Sequence, residues 1–205
     1  IKKEDMDNFF LKYNLGKIIS YHGITEGIEN TNYFVKTDQG KFIFTIFEKR
    51  VNATDLPFFM GLMLQLHSLK FKCPKPMINK SGEYISEIKN KKAAVVSFVE
   101  GESKKILNPK NCYDIGIETA RMHKISQNYK KSRPRKNENM NAHSIIYWNH
   151  IFDKIETKCF SIDKNLSFTI KESLKEINKN WPSDLPAGII HADLFPDNIF
   201  FIKEK

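Results

Sequence analysis

Three polar side chains near the end of the sequence have the types and spacing for phosphoryl-transfer chemistry. His191, Asp193 and Asn198 lie between two short apolar runs, 188–190 and 199–202. Transfer of a phosphoryl group needs a carboxylate that orients the attacking hydroxyl and accepts its proton. It also needs oxygen ligands for the Mg²⁺ that bridges the phosphates. We predict that Asp193 is the catalytic carboxylate, that Asn198 is the metal ligand, and that His191 braces the loop by hydrogen bonding.

The same residues also fit a simpler interpretation. Pro196, Asp197 and Asn198 taken alone are typical of a polar turn, because Asp and Asn side chains readily hydrogen-bond the backbone beside them. The apolar runs 188–190 and 199–202 read as two short strands, with the polar residues in the loop between them. The full spacing therefore favours a catalytic loop held between two strands.

The elements upstream of this loop fall into two groups. The sequence predicts strands at 17–22, 32–37 and 41–47 and a hairpin at 83–88 and 93–99, with one inserted helix that Thr54 or Asp55 can cap. Three later helices are predicted: one begins at Asn108, one begins at Ser144, and one runs from Leu166 to Trp181. The predicted class is α+β, with a β-rich lobe at 1–100, a helical lobe at 101–205, and a cleft between them.

Composition restricts the function further. The chain has 205 residues, of which 40% are hydrophobic, and a formal charge of +9. Most lysines are scattered, and the cluster at 130–136 contains Pro134, so a solvated loop is favoured over a nucleic-acid site. No apolar run is long enough to span a bilayer, and the first residues do not resemble a signal peptide. Three cysteines without histidines at metal-ligand spacing favour a reducing compartment. We expect a cytoplasmic protein with no nucleic-acid or membrane partner.

Several motifs, taken in order along the chain, carry a resemblance to a known family. Together they resemble the homoserine kinases within the aminoglycoside phosphotransferase and choline kinase group, which has a protein-kinase-like fold. The resemblance covers nearly the whole chain. Its motifs are Gly23–Tyr33, Phe42–Arg50, Asp55–Phe59, Cys73–Pro76 and His191–Asn198.

This resemblance implies a reaction and its ligands. The protein is expected to use ATP and Mg²⁺ to phosphorylate the hydroxyl of L-homoserine, giving O-phosphohomoserine for threonine synthesis. Gly23, Gly27 and Asn32 are implied to belong to the loop that covers the nucleotide phosphates, although an ordinary strand connection also explains the two glycines. The backbone of three residues where the lobes join is implied to hydrogen-bond adenine, although a buried strand end explains them equally well: Ser97, Phe98 and Val99.

Two departures from the pattern keep alternatives open. Protein kinases hold the phosphates with a lysine on the third strand, where this chain has Thr45, a pattern that homoserine kinases share. Lys49 and Arg50 are the nearest cations. The family also has a metal-binding aspartate after the catalytic loop, and the sequence reaches Lys205 without one. We therefore expect a C-terminally truncated chain that has little activity by itself. The alternatives are a phosphotransferase for another small alcohol, such as choline or an aminoglycoside, and an inactive remnant.

Overall fold

Five antiparallel strands form one sheet, in the order β1-β2-β3-β5-β4. The computed structural model describes four stretches of the chain: residues 1–25, 30–48, 52–129 and 144–202. The strands are rich in β-branched and aromatic residues, as their sequences predict. Their bounds are β1 (Ile18–Ile24), β2 (Asn30–Thr37), β3 (Lys41–Phe47), β4 (Ser86–Ile88) and β5 (Lys91–Ser97).

The β4–β5 hairpin is tighter than its sequence indicates. A polar tip of four residues, 89–92, was predicted, but the tip consists of Lys89 and Asn90 alone. Both residues have positive φ, +47° and +61°, as a two-residue hairpin turn requires. Lys91 and Lys92 consequently belong to β5.

The first helix, α1 (Lys3–Phe10), covers one face of the sheet and forms the main core. The rings of Phe9 and Phe44 lie 4.5 Å apart at its centre. Because side chains alternate along a strand, the residues between the core positions face the opposite side, which we call the open face. The buried core residues of the three central strands are Val35, Phe42, Phe44, Ile46, Ala93 and Val95.

Two further helices pack together beside the sheet. They are α2 (Leu56–Ser68) and α3 (Pro109–Ser126). The Gln65 side chain donates to the Ile125 carbonyl at 3.0 Å. The predicted start of α3 is confirmed, because the side-chain oxygen Oδ1 of Asn108 accepts from the Asn111 backbone amide at 2.8 Å.

The chain divides into two compact units. One comprises Ile1–Arg133 and Gly188–Lys205, and the other is Pro134–Ala187. The predicted boundary between lobes 1–100 and 101–205 stays a prediction.

The second unit is a pair of helices, α4 (Ile145–Ile162) and α5 (Lys164–Asn180). Their antiparallel contact is fixed by Asn149 and Asn178, whose amides donate to each other at 3.0 Å in both directions. Among the helices that the structure describes, none is long and apolar enough to span a membrane.

A buried polar cluster joins Tyr13, which follows α1, to Ser86 at the start of β4 and to Asn79 in the segment before it. The Tyr13 hydroxyl and Ser86 Oγ are 3.0 Å apart, and Asn79 donates to the same Ser86 oxygen at 3.0 Å. Tyr13 is only 3% exposed. Burial raises the pKa of Tyr13 above its ordinary value, and the hydrogen bond with Ser86 opposes part of that rise.

This pKa shift predicts a loss of stability in alkali. Below the unfolded-state value of about 10, both states keep the phenol proton and the full stability is present. Above it, the unfolded chain loses the proton first, so the free energy of unfolding falls until the pH passes the folded pKa. Urea unfolding between about pH 8 and about pH 11 should show this decline.

The Tyr13→Phe variant identifies the group responsible for the decline. It should lose about 1 kcal/mol at neutral pH, because a buried hydrogen bond is removed, and should show a weaker alkaline decline. Tyr113→Phe, at a ring that is 70% exposed, is the matched control and should resemble the unmodified protein. An unchanged alkaline slope in Tyr13→Phe would assign the decline to other groups.

Candidate active site

The loop that carries His191, Asp193 and Asn198 is not held between two strands, so this prediction was wrong. Within the described residues, 188–190 form no strand, and in the second run Phe201 alone forms a bridge. A single 3₁₀ turn, Pro196–Asn198, lies between them. An apolar run becomes a strand only when another strand supplies hydrogen bonds, and Ile190 is instead 61% exposed.

The fold nevertheless joins the predicted catalytic and metal-binding side chains. Asn198 Nδ2 donates to Asp193 Oδ2 at 2.9 Å and to the Asp193 carbonyl at 3.0 Å. The 3₁₀ turn makes this possible, since it bends the chain back so that the Asn198 amide bonds the Phe195 carbonyl at 2.9 Å. Asn198 therefore uses its nitrogen on Asp193, which leaves its Oδ1 for another partner.

His191 contacts the backbone at the start of the same loop. Its Nδ1 accepts from the Asp193 amide at 3.3 Å, so the ring proton of this tautomer lies on Nε2. Between them, Ala192 has φ of +64°. A left-handed alanine costs about 1–2 kcal/mol, and such strain is concentrated at functional sites. The bracing role of His191 stays a prediction.

The donor atoms of the loop suit Mg²⁺. Hard oxygen ligands are required, and Asn198 Oδ1 and the Asp193 carboxylate supply them. Among the described residues, no group of three or more His, Cys, Asp or Glu side chains could form a metal cage. Mg²⁺ in phosphoryl-transfer sites is commonly held by one or two protein oxygens together with substrate phosphates and water, so this small donor set fits that ion.

The segment after the catalytic loop is fixed to the residues that follow β5. Glu102 and Phe201 exchange both backbone hydrogen bonds, each at 3.0 Å, and the Lys104 ammonium lies 4.4 Å from the centre of the Phe201 ring. No pattern in the sequence predicts this contact directly. A glycine directly before it, at Gly101, was its single signal.

The predicted nucleotide-binding residues lie at two places on the sheet. Gly23 is paired with Tyr33 near the end of β1, and Asn32 lies on β2 between its pairing partners Ile24 and Thr45. Gly27 lies outside the described residues.

The second place is the end of β5, where Ser97 is the last strand residue. Its amide donates to the Lys75 carbonyl at 2.8 Å, and the Phe98 amide donates to the Lys41 carbonyl at 3.0 Å. Within the described residues, the Val99 amide has no recorded partner. Of the three predicted adenine contacts, Val99 is thus the one whose N–H is available.

Thr45, which is predicted to take the strand position where protein kinases have lysine, is bonded to Asn32. Its hydroxyl donates to Asn32 Oδ1 at 2.8 Å, a contact that the hairpin register could have predicted. Lys49 and Arg50, the nearest cations in the sequence, lie outside the described residues.

A substitution at Gly101 should disturb the loop from a distance. A Cβ there would lie 3.1 Å from both Phe200 Cβ and the Phe201 carbonyl oxygen, so the segment after the loop must move. We expect Gly101→Ala to lower kcat by about 3- to 10-fold, because small displacements of reacting groups are costly. Steady-state kinetics of the full-length protein measure this.

Gly116→Ala is the control for the Gly101 prediction. A Cβ at Gly116 meets nothing within 4 Å, so this variant should keep its kcat and gain up to about 1 kcal/mol of helix stability. An equal kcat in both variants would show that the contact with 200–201 does not affect the loop.

A solved structure defines the class of protein. The crystal structure of spectinomycin phosphotransferase in complex with ADP and spectinomycin superposes with a TM-score of 0.70 at 13% identity, covering all of this chain and 67% of that one. The chain therefore has the α+β, protein-kinase-like fold of the small-molecule phosphotransferases, as the sequence predicted.

Sequence comparison gives the family. The profile of the phosphotransferase enzyme family matches residues 20–205, so the chain belongs to that family. It is 38% identical over 205 residues to the homoserine kinase of Agrobacterium fabrum and 37% identical to that of Parvibaculum lavamentivorans. In both comparisons it spans 62% of the relative's length.

Proposed function

We propose that the protein transfers the γ-phosphoryl group of ATP to the side-chain hydroxyl of L-homoserine, forming O-phosphohomoserine. The observation that carries this proposal is the bond between Asn198 Nδ2 and Asp193 Oδ2, which holds a carboxylate and an amide oxygen side by side in an exposed loop. The curated relatives, which are named homoserine kinases, support the choice of acceptor.

Asp193 has a free oxygen with which to take the acceptor proton. Its Oδ2 accepts from Asn198, and among the described residues its Oδ1 has no recorded hydrogen bond. The homoserine O–H bond breaks and its proton passes to Asp193. The hydroxyl oxygen forms a bond to the γ-phosphorus, the bond from that phosphorus to the bridging oxygen breaks, and ADP leaves with the electron pair.

The rest of the loop positions these groups. When bound, Mg²⁺ neutralises the charge on the phosphate oxygens. Asn198 Oδ1 would hold it. His191 and the left-handed Ala192 keep the Asp193 backbone in place, so the carboxylate does not have to reorganise during transfer.

In this proposal, the nucleotide binds at the β-sheet. The Val99 amide is the donor to adenine, and the turn after Gly23, with Asn32, holds the phosphates. The reaction is placed in the cytoplasm because ATP and free amino acids are its substrates. No nucleic-acid or membrane partner takes part.

The test is an acceptor panel with the full-length protein. ATP and Mg²⁺ are supplied with L-homoserine, choline or an aminoglycoside, and ADP release is measured while the product is identified by phosphorus NMR. Homoserine should give O-phosphohomoserine and the highest kcat/KM. A preference for choline or the aminoglycoside would reassign the acceptor, and ADP binding without turnover on any of them would favour an inactive remnant.

A further inference from the structure

A hydroxyl–amide pair lies on the open face of the sheet, opposite α1. Thr45 and Asn32 are direct partners across β3 and β2, and their side chains are joined by a hydrogen bond of 2.8 Å. On one side along the same two strands their neighbours on this face are apolar, since Phe34 and Ile43 form the next pair. On the other side of Thr45, its partner Ala94 is only 1% exposed. A hydrogen-bonded polar pair beside apolar neighbours therefore calls for a functional explanation.

The bond fixes which end of the Asn32 amide is presented. An asparagine side chain that nothing holds can turn either its oxygen or its NH₂ group outward. Here the Thr45 hydroxyl donates to Oδ1, so the oxygen is kept on the Thr45 side and Nδ2 is directed away from it. Within the described part of the chain, Asn32 Nδ2 has no recorded hydrogen bond. Two N–H donors are therefore held in one orientation.

The place of Asn32 on the sheet indicates a ligand for its two N–H donors. Protein kinases place a phosphate-holding lysine on the third strand, and Thr45 occupies that position here. Asn32 lies near the start of β2, opposite Ile24, beside the turn predicted to cover the phosphates. Oriented N–H groups bind phosphate oxygens without carrying a charge.

From these contacts, we infer that Thr45 is a positioning residue, whose hydroxyl turns Asn32 so that Nδ2 donates to the nucleotide phosphates. A neutral N–H donor, held by the Thr45–Asn32 pair, thus replaces the charged lysine of protein kinases. The inference rests on the proposed use of ATP and deepens it, since it assigns phosphate recognition to a pair of side chains on the open face.

Calorimetry of ADP and of adenosine binding to the full-length protein separates the contribution of the phosphates to the affinity from that of the base. Thr45→Val removes the hydroxyl and keeps the shape of the side chain, so ADP should bind about 5- to 10-fold more weakly, corresponding to roughly one hydrogen bond. Adenosine should bind as before. Thr45→Ser keeps the hydroxyl and should restore ADP affinity. Asn32→Asp places a carboxylate against phosphate and should weaken ADP binding by at least about 10-fold.

Thr31→Val is the matched control. The Thr31 hydroxyl makes a side-chain bond of the same length, 2.8 Å, to Glu48. Because Thr31 is the neighbour of Asn32 in β2, it faces the other side of the sheet. Its loss should cost stability and leave ADP affinity unchanged.

Three results would overturn the inference. They are an unchanged ADP affinity in Thr45→Val, an equal loss of ADP and adenosine binding, and a Thr45→Ser variant as defective as Thr45→Val. These results are distinct from failure of the proposed function. If the unmodified protein binds ADP but phosphorylates no acceptor, the function fails and the inference stands. If it does not bind ADP at all, both fail.

Discussion

Asp193→Asn is expected to lower kcat with L-homoserine by about 10³-fold, while the KM for ATP changes by less than about 3-fold. The amide cannot accept the hydroxyl proton in the transition state, which removes general-base catalysis. The loop itself should keep its shape, because the oxygen of an asparagine at this position still accepts from Asn198 Nδ2, as Asp193 Oδ2 does at 2.9 Å. Steady-state kinetics with ATP, Mg²⁺ and homoserine measure both constants.

Asp197→Asn is the matched control for this prediction. Asp197 is an exposed carboxylate of the same loop, so the substitution makes the same change in charge at a residue to which no catalytic role is assigned. It should keep kcat within about 3-fold. If both variants lost activity equally, the effect would come from the charge of the loop. If Asp193→Asn stayed active, Asp193 would not be the base.

Asn198→Leu is expected to produce the second large loss, about 10²- to 10³-fold in kcat. Leucine has the same branched heavy-atom skeleton as asparagine but removes both hydrogen bonds to Asp193, at 2.9 and 3.0 Å, and the oxygen proposed as a metal ligand. The Asp193 carboxylate is then free to rotate, and the Mg²⁺ concentration that gives half-maximal activity should rise. A Mg²⁺ titration of the full-length protein measures this second effect separately from kcat.

Asn149→Leu is the control for the loss of an amide pair. Asn149 exchanges hydrogen bonds with Asn178 in the second unit, so this variant should unfold at a lower urea concentration and keep its Mg²⁺ dependence. A normal Mg²⁺ dependence in Asn198→Leu, with kcat alone reduced, would limit Asn198 to positioning Asp193.

Local signals in the sequence predicted two helix starts correctly, although Asp55 makes no side-chain cap hydrogen bond at the start of α2. Asn108 caps α3, and Ser144 caps α4 by accepting from the Tyr147 amide at 3.2 Å, because an N-cap bond closes within three residues. The pairing of β2 with β3 followed from one turn. In the loop, Asp193 and Asn198 meet because five residues and one 3₁₀ turn are enough to close the contact.

Errors arose where an element depends on a partner from elsewhere in the chain. The runs 188–190 and 199–202 have the composition of strands, yet within the described residues the partner they find is a single bridge from Glu102 to Phe201. Likewise, partners distant in the sequence use the amides of Ser97 and Phe98, which donate to the Lys75 and Lys41 carbonyls, while the predicted adenine contact of this segment stays a prediction.

The sequence by itself determined the α+β class and most of the helices and strands, and it predicted that Asp193 and Asn198 share one loop, because spacing and capping are local properties. The tertiary structure decided which groups are left over for ligands. It showed that Asn198 bonds Asp193 through its nitrogen, that Val99 keeps its amide, and that Thr45 holds Asn32. A polar group can form only a few hydrogen bonds. Whether one of these is already formed within the protein depends on residues that only folding brings close.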